Sequence, residues 1–225
     1  MPNVKISKTT KRARKSIGFI ARGLLTTRRV VLAQIIPMRR CDLACTYCNE
    51  RDSHSKPVPF DEVKSWIDKL AEFRTMNITI SGGEPTLHPD IYEIIRYIRS
   101  KEIMAGMITH GRALTDKNIE KLNAVGLQDL QISIDNVNPD ETSKKSLSFY
   151  EQKGILESLA RLAEFDVNLN SVIGSNIDHP EDALTITKRA AELGFGSTVG
   201  IIHDGDAQIQ KLNGNEKKIY DEIFR

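Results

Sequence analysis

The sequence predicts an α/β domain whose parallel strands are covered by helices. Three observations lead there. Short apolar, β-prone stretches alternate with helical stretches six times, at about 30 residues per unit, the βα rhythm of a parallel sheet. Forty percent of the 225 residues are hydrophobic, enough for a real core. The chemically distinctive residues all follow predicted strand ends, where both open doubly wound sheets and barrels carry function. Alternation alone does not choose between those two architectures.

The elements follow in order. VVLAQII (Val30 to Ile36) reads as the first strand and stops just before the cysteines. Pro59 to Phe73 reads as a helix, with Val63, Trp66, Ile67 and Leu70 at helical spacing. Asn77 to Ser81 is a strand closed by Gly82-Gly83. His88 to Ser100 is a helix with Pro89 in its first turn, where a missing N–H costs little. Met104 to Thr109 is a strand, and Thr115 to Ala124 a helix behind a Thr or Asp cap. Gln128 to Ile134 is a strand, Lys153 to Glu164 a helix, and Val167 to Ile173 a strand. Pro180 to Leu193 is a helix ended by Gly194, Thr198 to Ile202 the sixth strand, and Glu216 to Phe224 the start of a last helix. Because the chain stops inside that helix, a truncated and a naturally short form both stay open.

Charge divides the chain unevenly. Eleven Lys or Arg and no acid precede Cys41, so a net charge of +2 hides a body of about −9 behind a basic arm. Residues 1–29 are read as that arm and 30–225 as the α/β domain. Within the arm, Ile17, Ile20, Ala21, Leu24 and Leu25 share one helical face. Such a helix either caps the bottom of the domain with its apolar stripe inward, or lies on an anionic membrane. Contact with nucleic-acid phosphates is disfavoured, because no aromatic stacking series accompanies the charges. No run reaches the roughly 18 apolar residues of a membrane span, and no signal-peptide core is present. A cytoplasmic protein, peripheral at most at the inner membrane face, is expected.

All three cysteines lie within CDLACTYCNE, as Cys41, Cys45 and Cys48. Three thiols so close and odd in number do not make a disulfide framework, so metal or cluster binding leads. A structural zinc site needs four protein ligands, and His54 or His88 could supply the fourth. A [4Fe–4S] cluster held by only three cysteines leaves one iron open to an exogenous ligand.

Cys-x3-Cys-x2-Cys with Tyr47 before its last cysteine, followed by ISGGEPTLHPD (Ile80 to Asp90) at the next strand end, resembles the radical S-adenosylmethionine (SAM) enzymes. The resemblance covers Val30 to Ile202 and implies a partial (β/α)6 TIM-type barrel. It implies that Cys41, Cys45 and Cys48 ligate a [4Fe–4S] cluster whose open iron chelates SAM. Reductive cleavage of SAM then releases a 5′-deoxyadenosyl radical, with the electron supplied by a flavodoxin or ferredoxin. Ser81, Gly82, Gly83 and Glu84 are expected around the SAM amino group, with Tyr47 packed beside cluster and adenine. Thr109, Ser133, Asp135, Asn170 and His203 are further candidates for SAM contact.

Other positions leave two readings each. His110 stands where many members read TNG, so it replaces an amide, reaches the substrate, or is a plain loop histidine. Asn170 and Ser171 equally suit a buried polar network. Asp204 beside His203 touches SAM or substrate or neither. Arg39 and Arg40 tune the cluster or are simply solvated. No cysteine remains for an auxiliary cluster, which disfavours the peptide-modifying and molybdopterin-precursor branches. VNLNSVIG (Val167 to Gly174) and the HP after GGEP are broadly similar to the hopanoid-modifying, adenosylhopane synthase-like branch, hence a small-molecule or lipid substrate. A tRNA-modifying enzyme and a non-catalytic zinc or iron–sulfur module are the alternatives.

Overall fold

The computed structural model describes residues 30–174, 178–202 and 211–224. The basic arm, His203 and Asp204 lie outside the described residues. The strands are β1 (Leu32–Met38), β2 (Asn77–Gly82), β3 (Met104–Thr109), β4 (Asp129–Ser133), β5 (Asp166–Ile173) and β6 (Gly196–Ile201). The helices are α1 (Phe60–Glu72), α2 (Ile91–Ser100), α3 (Asp116–Ala124), α4 (Leu147–Gln152), α5 (Ile155–Leu162), α6 (Asp182–Leu193) and α7 (Gly214–Ile223).

All five strand pairings are parallel, and the strands lie in chain order, β1 to β6. A doubly wound sheet reverses its order once and so covers both faces. Without a reversal, right-handed crossovers put every helix on one side. The other side curves into a lumen, and the sheet is the expected partial barrel, with no pairing between β1 and β6 among the described residues.

Strand alternation sorts the side chains. Ile78 and Ile80, Ala105 and Met107, Leu130 and Ile132, Val167 and Leu169 face the helices and are essentially inaccessible. Ile94, Ile95 and Ile98 of α2 pack against this layer, all at 0% exposure. Each buried isoleucine contributes about 1.5–3 kcal/mol. The intervening positions, such as Gln34, Thr79, Gln131 and Asn168, face the lumen and are not core.

Several boundaries differ from those the sequence predicts. β1 runs two residues further, to Met38, with a register shift between Ile35 and Met38 that accommodates Pro37 on an edge strand. The helix expected from His88 begins only at Ile91, so Pro89 lies before it. His88 is extended, as the residue before a proline prefers, after a 3₁₀ turn at Pro85–Leu87. One predicted helix, Lys153 to Glu164, becomes α5 alone. The unpredicted α4 precedes it, and Gly154 joins the two at φ +64°. The last helix starts early because Asn213 and Glu216 form a reciprocal capping box.

Candidate active site

The site begins where β1 runs out. Residues 39–52 return on themselves: Asp52 N–H donates to Arg39 O (3.0 Å), and Cys41 N–H to Asp52 O (3.1 Å). The Asp52 carboxylate accepts from His54 N (3.0 Å), Ser55 N (2.8 Å) and the Ser55 hydroxyl. These bonds, the Ser55 hydroxyl foremost, hold its carboxyl at about 2. Thr46 N–H donates to Thr142 O (3.1 Å), tying the cysteine loop to the segment after β4.

The loop rests on the SGGE turn. Gly83 N–H donates to Met38 O (2.8 Å), and Glu84 N–H to Arg40 O (3.0 Å). A Cβ on Gly83 would stand 2.1 Å from Arg39 O, and one on Gly82, at φ +124°, 2.2 Å from Met38 O. Both glycines are therefore required by the approach of the cysteine loop itself.

One cleft of about 190 Å³ opens at the C-terminal ends of the strands. Cys41, Cys45 and Cys48 line it together with Gly82, Gly83, Thr109 and Ser133, so seven predicted residues converge. Arg51, His110 and Lys145 line it as well. Burial pushes the Cys41 thiol up, with the nearby Glu84 and Asp42 carboxylates adding to the effect.

Glu84 departs from expectation. Its carboxylate is 0% exposed and does not line the cleft. One oxygen accepts from Thr86 N (2.9 Å), Thr86 Oγ1 (2.5 Å) and Thr109 Oγ1 (2.7 Å), and the other from His110 N (2.9 Å). The Glu84 carboxylate is an internal hub that joins the strand ends of β2 and β3. The protein saturates both oxygens, because a buried carboxylate without donors would be costly.

Asp135 is buried, and neither it nor the half-buried Tyr47 is among the residues lining the cleft. The Tyr47 hydroxyl donates to Asp135 Oδ2, which also accepts from Ser143 Oγ (2.6 Å) and pairs with Lys145 Nζ (3.0 Å). Lys145 Nζ also donates to Tyr47 OH (2.6 Å) and sits 5.1 Å from its ring centroid. Burial, then the Asp135 charge, pushes the Tyr47 phenol far up, so it stays a donor. Ser81 is buried on β2 and does not line the cleft. Asn170 accepts from Thr198 Oγ1 (2.9 Å) across the lumen face of β5 and β6, away from the cleft lining. Ser171 is fully buried.

His110 is more than a loop residue. Its Nδ1 accepts from Arg112 N (3.2 Å), which leaves Nε2 to donate to Asp42 Oδ1 (2.7 Å), with Glu84 Oε2 at 3.3 Å. Its carbonyl accepts from the buried Tyr150 hydroxyl of α4. The histidine thus links the cysteine loop, the SGGE turn and β3. Lys145, Ser143, Arg51 and Asp42 carried no signal in the sequence, because loop lysines, serines and acids are usually solvated.

The candidate fourth zinc ligands are not at the site. His88 Nε2 donates to Val58 O (2.9 Å) and its Nδ1 accepts from Asp90 N (3.1 Å), so the buried ring is used up structurally. His54 is exposed. Three soft thiols on one loop, beside an open cleft and without a fourth cysteine, fit an iron–sulfur cluster that leaves one iron free.

The radical SAM superfamily model matches residues 35–211. The chain belongs to the radical SAM superfamily. It is therefore an enzyme, and its cofactors are a [4Fe–4S] cluster and SAM; the non-catalytic module is set aside. The AdoMet-dependent heme synthase of Methanosarcina barkeri is 31% identical over 163 residues, which are 68% of this chain and 45% of that protein. The GTP 3′,8-cyclase of Listeria welshimeri is 32% identical over 160 residues, 66% of this chain and 48% of that one. Streptococcus suis SuiB, solved with its precursor peptide SuiA, superposes with a TM-score of 0.70 at 15% identity, over 97% of this chain and 50% of SuiB. The radical SAM chain spans about half the length of these relatives. Among the described residues, no helix is long and apolar enough to cross a membrane.

Proposed function

We propose that this chain binds the cluster through Cys41, Cys45 and Cys48, and SAM in the cleft beside them. In this reading it directs a 5′-deoxyadenosyl radical at an unactivated carbon of a small-molecule or lipid substrate. The observation that carries the reading is the convergence of all three thiols and the Gly82–Gly83 turn on one cleft at the C-terminal strand ends. When bound, the cluster supplies the single electron that cleaves SAM to methionine and the radical.

The chain's own residues hold and orient. Gly82 and Gly83 bring backbone groups to the cleft with no side chain in the way. Lys145, 14% exposed and already paired with Asp135, presents an ammonium suited to the SAM carboxylate. Ser133 offers a hydroxyl for ribose or amino groups, whereas the Thr109 hydroxyl is engaged by Glu84 and Gly111 N. Glu84 and Tyr47 act from behind: Glu84 by locking the turn, Tyr47 by fixing Asp135 and Lys145. The electron comes from a small one-electron carrier such as flavodoxin or ferredoxin.

The test is anaerobic reconstitution with iron and sulfide, reduction with dithionite, addition of SAM, and assay of 5′-deoxyadenosine against a variant lacking all three cysteines. Cysteine-dependent product is expected. Zinc bound in place of iron, with no product, would overturn the reading.

A further inference from the structure

Below the cleft, the barrel lumen contains a second cavity of about 420 Å³, the size of a small-molecule site. Ile108, near the C-terminal end of β3, lines both cavities. Parallel barrels ordinarily fill this space with branched aliphatic side chains. Here the lumen positions include Gln34, Thr79, Gln131 and Asn168 on four strands, beside Leu32, Gly106 and Ile108. The polar lining continues upward and sideways, where Asn168 Nδ2 donates to Thr198 Oγ1 (2.8 Å), which donates to Asn170 Oδ1 (2.9 Å). Asp129 and Asp166, opposite each other in register, add two carboxylates at the floor. The same strands carry isoleucine, leucine and valine on their helix-facing side, so the carboxamides and carboxylates are confined to the lumen, where Leu32 and Ile108 add apolar surface.

Such a lining selects by hydrogen bonding. A hydrocarbon chain placed there would strand the Gln131 carboxamide and the remaining capacity of the Asn168 carboxamide, at about 1–3 kcal/mol for each group desolvated without a partner. A molecule bearing hydroxyl or amide groups satisfies them. We propose that the substrate of the radical is a small polar molecule, rich in hydroxyl or amide groups and seated in this lumen, and is not a hydrocarbon lipid. The inference rests on the radical reading above. Its chemical step is transfer of one hydrogen atom from a substrate C–H to the 5′ carbon, which yields 5′-deoxyadenosine and leaves the unpaired electron on the substrate.

The experiment uses cells that make this protein, grown in deuterium oxide. Their extract is split into an aqueous–methanol phase, a chloroform phase and a precipitated macromolecular fraction. Each is added to the reconstituted protein with unlabelled SAM and dithionite, and the deuterated fraction of the 5′-deoxyadenosine is measured by mass spectrometry. The expected result is label from the aqueous phase alone. In Gln131→Leu and Asn168→Leu, iron content checks folding, and the labelled fraction should fall about tenfold, the loss of one or two hydrogen bonds. Label from the chloroform phase or the precipitate, label from no fraction, or aqueous label undiminished in both variants would each overturn the proposal. Absence of any 5′-deoxyadenosine, labelled or not, instead strikes the radical reading, so the two failures are distinct.

Discussion

Glu84 shows how a motif residue acquires its role from its neighbours. Its carboxylate accepts four hydrogen bonds at zero exposure. Glu84→Ala strands donors from Thr86, Thr109 and His110, and should lower unfolding stability by about 3 kcal/mol, measured by urea denaturation. Glu84→Gln keeps the shape but loses charge and one acceptor, and should cost less. Gly83→Ala drives a methyl into Arg39 O and Arg40 O. It should displace the cysteine loop and lower iron content after reconstitution even though every cysteine remains. Lys145→Met leaves Asp135 charged, 1% exposed and unpaired. It should destabilise the fold by about 3 kcal/mol and weaken SAM binding, read by equilibrium dialysis. The Asp52 carboxyl is depressed, so what it adds to loop order is full above its ordinary value near 3.8 and is lost as pH falls through about 2. Carboxyl-carbon NMR of the cluster-free protein should find that midpoint near 2.

At the scale of elements, the boundaries that sequence alone misses have local causes. α4 is six residues long, too short for a periodic signal, yet its buried Tyr150 holds the His110 carbonyl. A helix that sequence reading passes over thus fixes part of the site. His88 looked like a helix start and a spare ligand. The proline after it keeps its backbone extended, and its ring anchors Val58 O and caps Asp90 N. The strongly periodic helices were legible, because α2 places Ile91, Ile94, Ile95 and Ile98 on one face. Ile95→Ala opens a cavity there and should cost about 2–5 kcal/mol in thermal or urea unfolding.

Over the whole molecule, the amino-acid sequence by itself determined the α/β class, the location of function at strand ends, the three thiols and the SGGE turn. Those features are local: a period of two or 3.6 residues, a spacing within eight positions, a glycine pair. Periodicity left barrel and doubly wound sheet open; the family resemblance implied the barrel, and strand order, a set of contacts between distant segments, showed it. Tertiary structure also decided which polar residues reach the cleft. Side chains at strand ends are near one another in either register, and only packing shows that Ser133 lines the opening while Glu84 and Asp135 are buried away from it. It brought in Lys145 and His110, whose partners stand 10 to 98 residues away in the chain. It placed Gln34, Thr79, Gln131 and Asn168 inside the barrel, since which face of a strand looks inward depends on where the helices pack.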